Sequence, residues 1–316
     1  MAAQGKGNSL GAFLFEELAK QCSGKAAETQ KGGEKETGTV LLKNERNVLP
    51  IGTREFVVTG KDTSAKPKRN GLWACIKREF GKQASFVTAS SLDGIAAGST
   101  IVYTVSGGAP DTALLQRMAS KDANIVVVDI APGQPAPMPW AYTIQGLLLS
   151  WDRDFRPLCS ILRGETNPDA KLPVEIRKTG TETHGGIIFP FGFGLSYTKF
   201  AYQPATLDKT ALKYGEKVTL TIPVQNIGKR DGEEVVQVYI HRTGDAEGPI
   251  KTLRGFKRVN IAKGATEQVA IELPYESFDW FDVKTNTMHP IKGAYEIFYG
   301  SSSRDEDLQK LEITIE

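Results

Sequence analysis

Few side chains in this sequence are both chemically versatile and spaced to cooperate. Its three histidines are His184, His241 and His289, and its three cysteines are Cys22, Cys75 and Cys159. None stands at ligand spacing from another His or Cys, so the pattern predicts neither a metal centre nor a disulfide framework. The serines lack the Gly-x-Ser-x-Gly elbow that would expose an activated nucleophile. Carboxylates remain for acid, base or nucleophilic work. Asp129 closes the apolar run NIVVVDI, at a strand end of the sort where α/β sheets hold active residues; its other reading is a surface turn. Asp152 and Asp154 flank Arg153 beside Trp151 and read as a solvated helix start, well placed for the helix dipole. Asp111 opens PDTALL and reads as a helix N-cap. Trp140, Tyr142 and Trp151 fall near predicted strand ends, where packing is the ordinary role, although Trp140 and Trp151 could together line a cleft at the C-terminal sheet edge. His184, before two glycines, reads as an exposed loop residue, and Cys159, within PLCSIL, reads as core.

The elements that must position these residues fall into two patterns. From 36 to 180, TVLLK, EFVVTG, SFVTA, TIVYTV and NIVVVDI are strands apolar on both faces. Between them GLWACIKREFG and PDTALLQRMASKD carry apolar residues at helical spacing, with Gly81 as a C-cap. Alternating strands and helices predict a parallel sheet with right-handed crossovers. From 207 to 316 the apolar residues alternate instead, in KVTLTIPVQN, EEVVQVYIHR, KTLRGFKRVNI, TEQVAIELP, AYEIFYG and LQKLEITI. Turn signals at 228–232 and 263–264 separate them, as in a fibronectin-like sandwich. The expected fold class is therefore α/β plus all-β: a three-layer α/β sandwich domain followed by a fibronectin type III-like β-sandwich. Between them, at 181–206, lies IIFPFGFGLSYTKF, whose Pro190, Gly192 and Gly194 argue against a strand. Its glycines and aromatics predict a folded loop pinned to a surface, the joint of the two domains.

Residues 1–35 are rich in Gly, Lys, Gln and Ala and read as a flexible segment with one short helix over 10–22. GKGNSLG (5–11) lacks the preceding strand and the Lys-Ser/Thr pair of a phosphate loop and reads as a terminus. GAFLF (11–15) is too short for a signal-peptide core, which predicts a cytoplasmic protein. A composition of 40% hydrophobic and 24% charged residues fits a globular chain. The net charge of +2 gives no reason to expect a nucleic-acid or membrane partner. No cofactor is implied.

Five segments carry a family resemblance in order. TGTVLLKNERNVLPI (37–51), NIVVVDIAPGQPAPMPW (124–140), ILRGETNPDAKLPVEI (161–176), FPFGFGLSYTKFAY (189–202), and the pair NIGKRDGEEVVQVYI and KTLRGFKRVNIAKGATEQVAIEL resemble the second and third domains of glycoside hydrolase family three. This is the β-glucosidase and β-xylosidase family. The resemblance implies action on, or binding of, β-linked glycosides. In the family a (β/α)₈ barrel carries the nucleophilic aspartate, and a barrel needs roughly 250 residues; only about 35 precede the match here. The family's acid/base glutamate sits on a long loop after the strand equivalent to TIVYTV, whereas SGGAPDTALLQ here enters its helix almost at once and has no glutamate. Asp111 lies in that shortened loop and is a substitute proton donor on this reading, with Asp129 and Asp152 as the other candidate catalytic carboxylates. Trp140 and Trp151 become candidate sugar contacts. Three readings follow: a β-glycosidase whose isolated chain is weak or inactive, a non-catalytic carbohydrate-binding or scaffold module, and a truncated family remnant. A homo-oligomer or a barrel-bearing partner chain is open on each.

Overall fold

TVLLKN forms β1 (Thr39–Asn44), and the next apolar runs form β2 (Phe56–Gly60), β3 (Ala84–Phe86), β4 (Thr100–Ser106), β5 (Asn124–Ile130) and β6 (Gly146–Ser150). The structure, a computed structural model, describes residues 38–60, 71–106, 109–131, 133–152, 154–179, 186–246 and 248–316. The helix and phosphate-loop-like segment expected near the N-terminus, together with Cys22, Arg153 and His184, lie outside them. The described residues fall into two compact units that meet between Tyr197 and Thr198.

In the first unit the six strands form one sheet in the order β1-β6-β5-β4-β2-β3. β2 through β6 are parallel, including the β4–β5 pair over its whole length. β1 corrects the all-parallel expectation, because it runs antiparallel to β6. A strand buried on both faces has the same apolar signature in either direction, so the sequence carries no mark of its orientation. Helices α1 (Leu72–Phe80) and α3 (Arg156–Arg163) cover one face, and α2 (Thr112–Ala119) covers the other with the 3₁₀ turn Pro139–Thr143. This makes three layers with an apolar core on each side of the sheet.

The aromatic segment is stitched to this unit. Gly192 N donates to Leu172 O and Leu172 N to Phe193 O, both at 2.8 Å, and the Phe189 and Phe193 rings lie 5.8 Å apart. Leu195 N reaches Leu41 O on β1 at 2.8 Å, and Tyr197 donates to Ile161 O at 2.9 Å. A Cβ on Gly194 would collide with Ala170 O, so only glycine lets this backbone close on the sheet.

The second unit is a sandwich. One sheet joins β12 (Lys217–Asn226) to β15 (Thr266–Pro274), with the short strands β9 (Phe200–Tyr202) and β10 (Thr206–Leu207) also on β12. The other runs β11-β19-β18-β13-β14, where β11 is Ala211–Leu212, β13 Gly232–Arg242, β14 Thr252–Ile261, β18 Gly293–Gly300 and β19 Leu308–Ile315. Along β12, Val218, Leu220, Ile222 and Val224 point inward and alternate with more exposed residues. Tyr295 donates to Ile291 O four residues upstream at 2.9 Å, a tie of the tyrosine-corner type.

Asn226 holds the start of this unit. Fully buried, it accepts from Thr198 Oγ1 at 2.7 Å and Gly228 N at 3.0 Å, and donates to Arg230 O and Ile261 O, each at 2.9 Å. Asn226→Ala leaves several buried partners unmet, at a cost of about 1–3 kcal/mol for each group that water cannot reach. The sandwich transition in urea is expected to fall by at least about 3 kcal/mol; an unchanged midpoint would contradict this accounting.

Candidate functional site

The chain runs from β2 out to β3 on one side, then returns across β2 to β4 on the other. That reversal makes the C-terminal ends of β2 and β4 a topological switch point, the crevice where open α/β sheets bind ligands. Gly60 ends β2 with φ +138°, and a Cβ there would strike Thr104. Thr104 donates to Thr59 O at 3.2 Å, while the buried Thr59 hydroxyl finds no partner among the described residues. Sequence reading overlooked both threonines, because a lone Thr in a strand carries no signal beyond β-propensity.

The three candidate carboxylates lie along the same sheet edge, on or after β4, β5 and β6. Asp111 caps α2, its Oδ1 accepting from Leu114 N at 3.1 Å, and its own backbone N donates to the Tyr103 hydroxyl at 3.1 Å. The cap anticipated from PDTALL is what the side chain does. Asp152 departs from the solvated helix start: its Oδ2 accepts from Gly38 N at 2.9 Å and Thr39 Oγ1 at 3.3 Å, which straps the beginning of β1 to the end of β6. Its strand partner is more than a hundred residues away, which no local pattern reveals. Asp154 fits the helix-start reading, accepting from Arg156 N at 3.1 Å and pairing with the Arg156 guanidinium at 2.6 Å.

Asp129 is different in kind. It is 5% exposed at the end of β5, beside Val105 on β4 and Leu149 on β6. Its Oδ1 is buried without a hydrogen-bond partner among the described residues, and burial pushes the carboxyl up to about 6. The surface-turn reading is corrected, because the chain stays in the sheet through Ile130.

The aromatics divide. Trp140 is 5% exposed within the core on the α2 side, so it offers no open face to a sugar. Trp151 is half-buried and donates to Gly133 O at 2.9 Å. Tyr142, 65% exposed, is the aromatic here that reaches solvent. Cys159 is wholly buried, as its helical pattern predicts.

With this geometry in place, similarity to known proteins is informative. The sequence profile of the fibronectin type III-like domain matches residues 234–303. A xylan 1,4-β-xylosidase of Xylanibacter ruminicola is 32% identical over 219 residues, covering 64% of this chain and 25% of that protein. The thermostable β-glucosidase B of Acetivibrio thermocellus is 27% identical, covering 84% of this chain and 45% of that protein. These matches bear out the resemblance to the β-glucosidases and β-xylosidases of glycoside hydrolase family three. The β-glucosidase of Listeria innocua in complex with glucose shares the fold, with a TM-score of 0.74 at 20% identity over 88% of this chain and 48% of that one. The chain spans half or less of the length of these relatives.

Asp129 yields a pH signature. Its folded value of about 6 exceeds the ordinary 3.8, so the folded state holds this proton more tightly than the unfolded chain. Ionisation therefore costs stability, with nothing lost below the ordinary value and the full penalty present above about 6. Asp129→Asn removes the ionisation, and its stability relative to wild type is expected to rise by roughly 2–3 kcal/mol between pH 4 and pH 7. Denaturant titrations at both pH values measure this; a difference independent of pH would show that the carboxyl is not desolvated.

Proposed function

We propose that this family-three chain is a β-glycosidase-like module of the β-glucosidase type, which engages β-linked glycosides but is by itself weak or inactive as a hydrolase. The observation that carries the reading is the employment of its carboxylates. Retaining hydrolysis needs two carboxyl groups roughly 5 Å apart, one nucleophilic and one exchanging a proton with the glycosidic oxygen. Asp111 spends its oxygen on a helix cap and Asp152 on strapping β1. Asp129 has the raised value of a general acid, yet its burial keeps a glycosidic oxygen from reaching it. On this reading a barrel of the family kind supplies the nucleophile, and the sheet edge near Trp151 forms one wall of the sugar site. A non-catalytic carbohydrate-binding or scaffold module is the second reading, favoured by the same structural use of Asp111 and Asp152.

Turnover of an aryl β-glucoside by this chain is expected to stay within the roughly 10²–10⁴-fold that one positioned acid or base supplies. Asp111→Asn should leave both that rate and the melting temperature unchanged, because Asn caps a helix as well as Asp does. Enzyme-scale turnover abolished by Asp111→Asn would show a rebuilt active site and overturn the proposal.

A further inference from the structure

Cys75 and Cys159 are separated by most of the α/β unit in sequence, and the fold brings them together. Cys75 lies on α1 and Cys159 on α3, the two helices that share one face of the sheet. Cys75 Sγ lies 3.3 Å from Phe155 O, the same carbonyl that accepts from Cys159 N at 2.9 Å. The side chain of Cys75 on α1 therefore rests on the first turn of α3, at the carbonyl that also holds the Cys159 amide. Both residues are reduced and buried, at 4% and 0% exposed. Arg78, whose side chain is 58% exposed, brings Nη2 to 3.4 Å from Cys75 Sγ.

We infer that Cys75 and Cys159 form an oxidation site, at which hydrogen peroxide joins them in an intramolecular disulfide between α1 and α3. Cys75 is the attacking sulfur. The Cys159 thiol and then the Arg78 charge draw its pKa down against desolvation and the more distant Glu79 and Asp154, while the same contact and burial push Cys159 up. In the first step the Cys75 sulfur attacks one peroxide oxygen, the O–O bond breaks, and water leaves with the thiol proton, giving a sulfenic acid. Cys159 then attacks that sulfur, the S–O bond breaks, and its proton leaves with the hydroxyl as a second water. Two thiols are oxidised by two electrons and one peroxide is reduced to two waters. The largely exposed Arg78 guanidinium lies beside the Cys75 sulfur, on the side from which peroxide would approach.

The test uses the full chain carrying Cys22→Ser, so that only this pair is available. Peroxide treatment is expected to lower the intact mass by about 2 Da, with a peptide map linking Cys75 to Cys159 and dithiothreitol reversing both. The oxidised chain should also melt several degrees higher, since the bond closes a long loop. With Cys159→Ser added, Cys75 has no resolving thiol and should instead accumulate a sulfenic acid, about 16 Da heavier and trapped by dimedone. Two thiols still free after treatment, or oxygen added to each sulfur separately with no cross-link, would overturn the inference.

Discussion

The α/β unit depends on keeping the edge of β1 paired. An edge strand offers a row of unpaired amides and carbonyls, and burial makes each one costly if left unmet. β1 is buried over most of its length, with β6 on one side. On the other side Leu195 N meets Leu41 O, bringing in the glycine- and aromatic-rich segment as a cover. The constraint explains that composition. Gly194 lets the backbone pass beside Ala170 O, Phe193 packs into the core, and Lys171 adds a bond to Gly194 O at 3.1 Å. Asp152 at the start of β1 and Asn44 at its end, which exchanges two 2.9 Å bonds with Leu49, fix its register.

The elements were legible because burial writes itself into local patterns. NIVVVDI is a strand over its full predicted span, and PLCSIL lies within a helix. Asp111 was legible as a cap because capping is satisfied within one turn. What escaped was set by partners distant in the chain. The direction of β1, the strap formed by Asp152 and the meeting of Cys75 with Cys159 each join segments that only the fold brings together. Trp140 shows a related difficulty: a tryptophan near a strand end reads alike whether its ring faces a cleft or, as here, the core.

The candidate carboxylates also show why a shared fold is weaker than a shared site. Topology alone sets acids along one sheet edge, on or after neighbouring strands. What each then does depends on the nearest unsatisfied group. At Asp111 that is a helix amide and at Asp152 the start of β1, while Asp129 meets none for its Oδ1 among the described residues.

The stitching of the aromatic segment also decides where the chain can be divided. Although its sequence looks like linker, everything through Tyr197 completes the α/β sheet, and Thr198 is already held by Asn226 of the sandwich. A fragment ending before Phe189 would uncover Leu41 O on the outer edge of β1, a place where a second copy could begin to add a strand. Cleavage by a protease between Tyr197 and Thr198 would leave the contact of Leu195 with β1 and the hold of Asn226 on Thr198 both intact. The same cut ten residues earlier would leave the α/β unit with an open strand edge, a seed for association.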